Sequence, residues 1–423
     1  MNKYDSSLIA SLLEKEGWKK VDNWKDADIV LVNTCAVREH AEARVFSRLG
    51  IWGKYKETVK PDLKIGILGC ISQKEAGNLF HRFPYLDLVA GTFALEDIPR
   101  LIKDTEKGKV VALEEKEEDI PLVERKIEEV TTFVSIMRGC NNFCSYCIVP
   151  YVRGRERSRK VENIVKEIEY LVERGVKEIT LLGQNVNSYR GYWEKERECI
   201  DFPQLLRIIN EIPGIERIRF ATSHPKDLSD SLIEAVRDLE KVCEHIHLPV
   251  QSGSNKILNL MNRRYTREDY LNLIEKIRKK IPHVAISTDI IVGFPGEGEK
   301  EFQETLSLLK EIEFDSAFIF KYSPRPLTRA FHLKDDVPRE EKERRLNLLL
   351  SLQKEISQRK AEKFVGKEVE VLVERKEKDK WFGKTRDNRS VLIDCEINIR
   401  GKIIPVKIYR NRKGILEGKY KGG

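Results

Sequence analysis

The sequence lacks any long hydrophobic run. No apolar stretch in its 423 residues approaches the roughly 20 residues that a transmembrane helix needs. The opening MNKYDSSLIASLLEKEG also shows none of the regions of a secretory signal peptide. We therefore expect a cytoplasmic protein with no membrane association. Because 40% of the residues are hydrophobic, the chain can form two or three globular domains with substantial cores.

Cysteine is sparse, and eight unevenly placed cysteines favour metal or redox use over a disulfide framework. Cys140, Cys144 and Cys147 lie in RGCNNFCSYC (138–147) with a C-x3-C-x2-C spacing. The motif lacks a fourth ligand. Structural zinc sites close with four ligands and haem attachment needs C-x-x-C-H, whereas Ile148 follows the last cysteine. Zinc is therefore the disfavoured alternative at this site.

The glycine-rich GFPGEGE lacks the Gly-Lys-Ser/Thr ending of a P-loop, which argues against binding of a nucleoside triphosphate.

Of the net charge of +8, a surplus of +7 falls in residues 361–423, with 17 Lys and Arg against 10 Asp and Glu. A second basic stretch, YVRGRERSRK (151–160), includes Arg153, Arg155 and Arg157. Solvated charged faces would explain either stretch, but two of them beside a metal-type motif favour a polyanionic partner.

The first hundred residues alternate helix and strand. An amphipathic helix is predicted over 5–17, and the apolar runs at 28–33 and 64–69 are typical of buried parallel strands. Cys35 and Cys70 follow these two runs directly. Because ligands bind at the carboxyl ends of strands in open α/β sheets, the two thiols are expected to form a shared metal site. Two unrelated buried cysteines are the alternative.

An acidic stretch at 114–129 is predicted to be a linker, and the alternation of strand and helix then resumes. Six strands with helices between them suit a partial TIM-like (βα)6 barrel, in which chemistry takes place on loops at the carboxyl ends of strands. The cysteine loop follows the first of these strands. The strands are predicted at 132–138, 178–183, 216–221, 243–249, 284–292 and 315–321.

From about residue 364 the pattern becomes an alternation of apolar and polar residues broken by turns, which indicates a small antiparallel β-barrel. Between its predicted strands lies WFGKTRDNRS (381–390), where an aromatic pair stands beside Lys384, Arg386 and Arg389. Stacking and phosphate-binding groups on such a barrel favour an RNA-binding surface. Core aromatics beside solvated charges are the alternative.

The C-x3-C-x2-C motif resembles that of radical S-adenosylmethionine (SAM) enzymes. Together with TLLGQNVNSY, SHP, HLPVQSGS, STDIIVGFPGE and YSPRP, it makes the whole chain similar to the MiaB-type tRNA methylthiotransferases. In such enzymes three thiolates hold three irons of a 4Fe-4S cluster and leave the fourth iron open for SAM. The resemblance implies an N-terminal methylthiotransferase domain (1–115), a radical SAM core (126–360) and a C-terminal TRAM domain (363–423).

The resemblance also implies the roles of individual residues. Cys140, Cys144 and Cys147 would hold the SAM-binding cluster, while Cys35 and Cys70 would hold an auxiliary cluster for sulfur delivery. SAM contacts are expected at Tyr146, Gln184, Asn185, Ser287, Asp289 and Gly293. RNA contacts are expected at Arg153, Arg155, Arg157, Lys384, Arg386 and Arg389. His245 and His247 are expected to serve barrel packing or hydrogen bonding rather than a metal.

The reaction implied is methylthiolation at C2 of N6-(dimethylallyl)adenosine 37 in tRNA, with SAM as methyl donor and radical source. An electron donor such as flavodoxin or ferredoxin, a sulfur-delivery or cluster-assembly protein and a monomeric state are expected. The alternatives are related branches of the family, which act on threonylcarbamoyladenosine or a ribosomal-protein aspartate. A further alternative is an RNA-binding iron-sulfur protein without sulfur transfer.

Members of this family carry a first strand that ends in Gly-Cys-Gln-Met-Asn, whereas this chain begins at Met1 and Asn2. We therefore expect that the first strand and a third auxiliary cysteine precede Met1 in the natural protein. An auxiliary site with two cysteines alone is expected to bind its cluster weakly.

Overall fold

The computed structural model describes residues 1–34, 39–75, 77–115, 124–125, 127–193 and 198–420. It contains the three parts expected from the sequence: an open parallel sheet, a partial barrel and a small closed β-barrel. No helix in this described portion combines the length and the apolar character needed to cross a bilayer.

The open sheet has four parallel strands, of which two were predicted. Their order is β1 (Ile29–Thr34), β2 (Lys64–Gly69), β3 (Leu88–Ala90) and β4 (Val110–Ala112). The sequence did not reveal β3 and β4, because strands of three residues are too short to show a pattern. The accompanying helices are α1 (Asn2–Lys15), α2 (Glu39–Thr58), α3 (Cys70–Glu75), α4 (Asn78–Arg82) and α5 (Ile98–Asp104).

Both faces of this sheet are buried, which explains why its strands are nearly continuous apolar runs. Ile65 and Ile67 of β2 pack on one face with Leu49 of α2, and Leu68 packs on the other face with Ile9 of α1. The sheet therefore fixes α1 on the face opposite α2.

Ten strands belong to the central part of the chain. They are β5 (Thr131–Ser135), β6 (Met137–Arg138), β7 (Arg157–Ser158), β8 (Glu178–Leu182), β9 (Arg190–Tyr192), β10 (Cys199–Asp201), β11 (Arg217–Phe220), β12 (His245–His247), β13 (Ala285–Val292) and β14 (Ser316–Lys321). The six predicted strands are β5, β8, β11, β12, β13 and β14, and all six are confirmed. Two parallel sheets, β5-β8-β11 and β12-β13-β14, are joined by a bridge between Ile218 and Val242.

The helices of the partial barrel cover its outer face. In α7, the buried Ile164, Ile168 and Leu171 recur at the spacing of one helical face and pack on the strands. The helices are α6 (Val149–Arg153), α7 (Val161–Val172), α8 (Phe202–Asn210), α9 (Asp230–Asp238), α10 (Asn255–Leu260), α11 (Arg267–Lys280), α12 (Glu299–Ile312) and α13 (Arg339–Glu362).

The C-terminal barrel is closed, with strand order β15-β16-β17-β19-β18. The strands are β15 (Glu368–Glu377), β16 (Lys380–Thr385), β17 (Ser390–Asp394), β18 (Ile403–Arg412) and β19 (Ile415–Lys419). The interpretation of 381–390 as a segment between strands needs correction, because its first five residues form most of β16. Trp381 is buried in the barrel core, so the core alternative holds for this aromatic residue.

A buried ion-pair network joins α1 to the partial barrel. The Glu167 carboxylate on α7 accepts hydrogen bonds from Arg125 Nε at 3.0 Å, Arg159 Nη1 at 2.6 Å and the Tyr4 hydroxyl at 3.3 Å. Arg125 falls within the stretch predicted to be a linker, yet it is only 1% exposed. Within the predicted linker, Arg125 is therefore anchored to the partial barrel.

Candidate active site

The three cysteines lie in a loop between β6 and β7, at the carboxyl end of the first barrel strand. Gly139 begins the loop with φ of +79°, and a Cβ at this position would lie 2.0 Å from the carbonyl oxygen of Arg155. Only glycine therefore allows the two sides of the loop to approach so closely. Cys140 N donates to Gly154 O at 3.2 Å, which closes the loop.

The thiols of the loop are protected from water and influence one another. Cys144 is 8% exposed, while Cys140 and Cys147 are half-buried. Burial, followed by the neighbouring Cys144, raises the pKa of Cys147 to about 12. Burial also raises the pKa of Cys140, with a further contribution from Cys144. The raised pKa values of Cys140 and Cys147 mean that these two thiols keep their protons until a metal replaces them.

The donor set suits a 4Fe-4S cluster with one open iron, since one loop carries three cysteines. Among the described residues, no group of three or more His, Cys, Asp or Glu side chains has the arrangement of a metal site.

A second segment, Leu260–Arg264 after α10, holds the cysteine loop in place, and we call it the brace. Ser145 donates from Oγ to Leu260 O at 2.7 Å and from its backbone N to Met261 O at 3.0 Å. Asn262 Nδ2 donates to Phe143 O at 3.0 Å. Sequence reasoning missed the brace, because it lies 113 or more residues from the cysteines and carries no motif of its own.

Arg263 of the brace reaches the cysteines directly. Its side chain is 4% exposed, and its Nη1 donates to Cys144 Sγ at 3.3 Å and to the Tyr146 hydroxyl at 3.4 Å. Tyr146, predicted to contact SAM, therefore lies beside the cysteine loop and shares a hydrogen-bond donor with Cys144.

Gln184 and Asn185, predicted to contact the methionyl part of SAM, lie directly after β8. The Gln184 Oε1 atom accepts a hydrogen bond of 2.6 Å from Gly139 N, so this side chain ties β8 to the cysteine loop. Asn185 is 2% exposed and donates from Nδ2 to Asp227 at 2.7 Å. Its Oδ1 has no hydrogen-bond partner among the described residues, which leaves this acceptor available to a ligand.

Of the other residues predicted to contact SAM, Ser287 and Asp289 lie on β13 and Gly293 directly follows it. Ser287 Oγ lies 3.0 Å from both His245 Nε2 and His247 Nδ1, in the barrel interior. The two histidines are thus hydrogen-bonded, as the sequence indicated. Asp289 lies 3.5 Å from His247 Nε2. Ser287 therefore lies near the start of β13 and Gly293 beyond its end, and their contacts with SAM stay a prediction.

Two polar residues that follow β11 were given no role from the sequence. Ser223 and His224 are 5% and 6% exposed, and neither Ser223 Oγ nor His224 Nε2 has a hydrogen-bond partner within the described chain. Burial, then nearby cations led by Arg263, lowers the pKa of His224 to about 2. His224 Nδ1 accepts from Lys226 N at 3.2 Å, so the neutral ring carries its proton on Nε2. A buried donor is thereby offered to a ligand.

Only one of the two predicted auxiliary ligands can be located, since Cys35 lies outside the described residues. Cys70 is 4% exposed and begins α3 at the carboxyl end of β2, as predicted. Arg153 hydrogen-bonds Cys70 and forms a 2.8 Å ion pair with the buried Asp5. The expectation that Arg153 contacts RNA is therefore corrected: this side chain is 5% exposed and serves the Cys70 site.

The other arginines of the 151–160 stretch differ from one another. Arg155 is exposed, with its guanidinium 5.7 Å from the Phe143 ring. Arg157 is half-buried, 5.1 Å from the Phe93 ring and 3.5 Å from Glu115. Arg159 is fully buried beside Glu167. Of the predicted RNA contacts in this stretch, Arg155 has the most accessible charge.

The β16–β17 turn, residues 384–389, docks on the amino ends of the barrel strands, and we call it the clasp. Arg386 forms a bidentate ion pair with Glu244 and Arg389 lies 2.6 Å from Asp315. In return, Arg217 donates to the carbonyl oxygen of Lys384 at 2.7 Å, and Arg219 donates to those of Thr385 and Arg386 at 2.7 and 2.8 Å.

The clasp corrects the expectation that Arg386 and Arg389 present their charges to RNA, because both guanidinium groups are engaged within the chain. Lys384 is half-buried in the same turn. The sequence of 381–390 shows its basic and aromatic character. It does not show that the arginines form ion pairs with residues of the partial barrel.

Solved structures of two other proteins share this fold. The radical SAM methyltransferase TsrM from Kitasatospora setae superposes with a TM-score of 0.56 over 78% of this chain and 74% of its own, at 15% identity. The cobalamin-dependent SAM radical enzyme OxsB superposes with a TM-score of 0.53 over 83% of this chain and 53% of its own, at 16% identity. At these identities the likeness establishes the fold alone.

A partial barrel with a three-cysteine loop at its carboxyl end defines a radical SAM enzyme. Residues 134–309 match the Radical SAM superfamily, 1–91 match Uncharacterized protein family UPF0004 and 362–421 match the TRAM domain. The chain belongs to the family of tRNA-2-methylthio-N(6)-dimethylallyladenosine synthases. It is 49% identical to the synthases of Caldicellulosiruptor saccharolyticus and Clostridium novyi, over 99% of its length and 90% and 94% of theirs.

Proposed function

We propose that this enzyme replaces the C2 hydrogen of N6-(dimethylallyl)adenosine at position 37 of tRNA by a methylthio group. The observation that carries the proposal is the loop with three cysteines, together with buried polar atoms of Asn185, Ser223 and His224 that have no hydrogen-bond partner within the described chain. The loop supplies the ligands for radical chemistry. The polar atoms would form hydrogen bonds to SAM or to the base. The identity of the substrate is inferred from the 49% sequence identity to the synthases.

Cys140, Cys144 and Cys147 would hold the 4Fe-4S cluster, and SAM would lie toward the carboxyl ends of β8 and β11. When bound, the cluster and SAM supply one-electron chemistry strong enough to remove a hydrogen atom from an sp² carbon. The chain orients both through the brace and through Gln184, and the low exposure of Asn185 and His224 excludes water.

Sulfur delivery is proposed at Cys35 and Cys70, with an auxiliary 4Fe-4S cluster as the source. Two features of the described residues support Cys70 as a ligand: its place at the carboxyl end of β2, and the Arg153 guanidinium held against it by Asp5. The positive charge of this guanidinium would offset the negative charge of a cysteine sulfur bound to iron.

We also propose the domain limits 1–115, 126–360 and 363–423. The first two enclose their family matches, and the TRAM match begins one residue before the third. The partners would be tRNA, a low-potential electron donor such as flavodoxin or ferredoxin, and a sulfur-delivery or cluster-assembly protein. The enzyme would act in the cytoplasm as a monomer.

The test is to analyse tRNA nucleosides by mass spectrometry from cells with and without the gene. The 2-methylthio derivative of N6-(dimethylallyl)adenosine should disappear on deletion and return on complementation. Loss of a methylthiolated threonylcarbamoyladenosine, or of a modified ribosomal-protein aspartate, would assign the enzyme to another branch. No change in any of the three would indicate an RNA-binding iron-sulfur protein.

A second test addresses the cluster. Anaerobic reconstitution with iron and sulfide should give a protein that cleaves SAM to 5'-deoxyadenosine under a strong reductant. Cys144→Ala should abolish cleavage, whereas Cys199→Ala, an exposed cysteine outside the loop, should leave it unchanged. Cleavage at the original rate by the Cys144 variant would contradict the assignment of the cluster.

A further inference from the structure

Arg263 is a buried cation without a matching carboxylate. Its hydrogen-bond partners in the described chain are the Tyr265 hydroxyl at 2.9 Å, the carbonyl oxygen of Pro249 at 2.9 Å, the Tyr146 hydroxyl at 3.4 Å and Cys144 Sγ at 3.3 Å. Among the ion pairs of the described residues, none involves Arg263. Because burying an unpaired charge is costly, a side chain in this position requires an anion nearby.

Cys144 is the group that can provide this anion. A guanidinium is protonated at every pH at which proteins are folded, so Arg263 carries a permanent positive charge. The thiolate of Cys144, once it binds iron, places a negative sulfur within hydrogen-bond distance of a fixed positive charge.

The backbone of the brace fixes the position of this charge. Asn262 and Arg264 both have φ of +57°, a left-handed conformation on each side of Arg263. The Asn262 amide is bonded to Phe143 O, and Ser145 is bonded to both Leu260 O and Met261 O. The cysteine loop and the guanidinium are thus held by one network, so their separation cannot relax independently.

We propose that Arg263 is a positioning residue that raises the reduction potential of the cluster held by Cys140, Cys144 and Cys147. The inference rests on the proposed function, which places a 4Fe-4S cluster at these cysteines. In the step concerned, one electron passes from a low-potential donor to the cluster, and no bond is made or broken. An N–H···S hydrogen bond and a nearby positive charge both stabilise the added negative charge.

The test uses the full chain with its cluster loaded, and it compares Arg263→Gln with Arg264→Gln. Arg264 is the adjacent arginine and is exposed, so its variant removes the same formal charge from the surface of the brace. The reduced cluster is followed by electron paramagnetic resonance in a redox titration without tRNA. Arg263→Gln should reduce the fraction of reduced cluster at a fixed potential about tenfold, equivalent to about 59 mV for one electron. Arg264→Gln should match the wild type.

Arg263→Lys keeps the charge but loses the planar fork, so its potential should lie between those of wild type and Arg263→Gln. A fully loaded Arg263→Gln protein with the wild-type potential would overturn the proposal. Failure of both Arg263 variants to retain iron, while Arg264→Gln loads fully, would overturn it in favour of a purely structural role. A wild-type protein that binds no cluster would instead refute the proposed function.

Discussion

The two ends of the partial barrel bury different kinds of polar group, with ion-paired charges at the amino ends and neutral side chains at the carboxyl ends. At the amino ends of the strands, Arg217 and Arg219 face carbonyl oxygens of the clasp, and Arg386 and Arg389 face the carboxylates of Glu244 and Asp315. At the carboxyl ends, neutral polar atoms of Asn185, Ser223 and His224 lack partners within the described chain.

The comparison teaches where stability and function reside. Charges that are paired inside the chain hold two domains together, and removing one of them leaves the other buried. Polar atoms that are buried without partners lower stability, and proteins retain them where a ligand completes the hydrogen bonds. Changes at the amino ends should therefore affect folding, while changes at the carboxyl ends should affect binding.

The largest effect on stability is expected from removing an ion pair at the amino ends of the barrel strands. Arg219→Met removes a 2.9 Å ion pair with the buried Glu178 and two hydrogen bonds to the clasp. Leaving Glu178 uncompensated should lower the free energy of unfolding by about 3–5 kcal/mol, measured by urea denaturation. Arg237→Met removes only the surface pair with Asp238 and should leave stability unchanged. Equal stability of the two variants would remove the basis of the comparison.

A smaller loss of stability is expected at low pH, because His224 is buried at the carboxyl ends of the barrel strands. The pKa of His224 is about 2 when folded and near 6.5 when unfolded, so the unfolded chain binds the extra proton between these values. Stability should therefore fall as the pH drops below about 6.5. At pH 5 this histidine alone should cost about 2 kcal/mol.

The measurement is the free energy of unfolding at pH 7 and pH 5 for wild type and His224→Gln. The variant should lose less stability over this interval, because one titrating group is absent. An identical loss in both proteins would show that His224 is accessible to protons in the folded state.

The basic residues allow a third comparison, between Arg155 and Arg386. Arg155→Gln should reduce the salt dependence of tRNA binding by about one unit of slope, since its exposed charge can meet one phosphate. Arg386→Gln should leave that slope unchanged, because its charge is paired with Glu244. The measurement is the affinity of each variant for tRNA at several salt concentrations, from which the slope is obtained. A reduced slope for Arg386→Gln alone would restore the original RNA assignment of the clasp.

The smallest effect on stability is expected for Ser223→Ala at the carboxyl end. The hydroxyl has no partner within the described chain, so its removal should change the unfolding free energy by no more than about 0.5 kcal/mol. The same variant should raise the KM for SAM or for tRNA. A loss of stability with unchanged KM values would show that Ser223 contributes to folding and not to ligand binding.

The sequence predicted the six barrel strands and the place of Cys140, Cys144 and Cys147, because strand pattern and cysteine spacing are local signals. It did not predict the brace or the clasp. Arg263 lies 119 residues from Cys144, and Arg386 lies 142 residues from Glu244. The sequence of a basic stretch does not show whether its side chains will bind phosphates of RNA or form ion pairs with carboxylates of the protein itself.

Arg153 shows the same limit on a smaller scale. It belongs to a stretch with four other basic residues, and no local pattern in that stretch separates it from Arg155. The distinction depends on the fold, which places Asp5 and Cys70 against one of them. Charge patterning predicted a basic surface, but burial decides which members of the stretch belong to it.

The clasp also has a consequence for how the chain is made. The carbonyl oxygen that receives Arg217 belongs to a residue 167 positions later. At a synthesis rate of about 5–20 residues per second, the barrel waits about 8–33 s for this partner to be translated. During that interval its two arginines are solvated at an open end. A chain that stops before Lys384 keeps this end open permanently, which distinguishes an incomplete product from a finished one for proteases and chaperones.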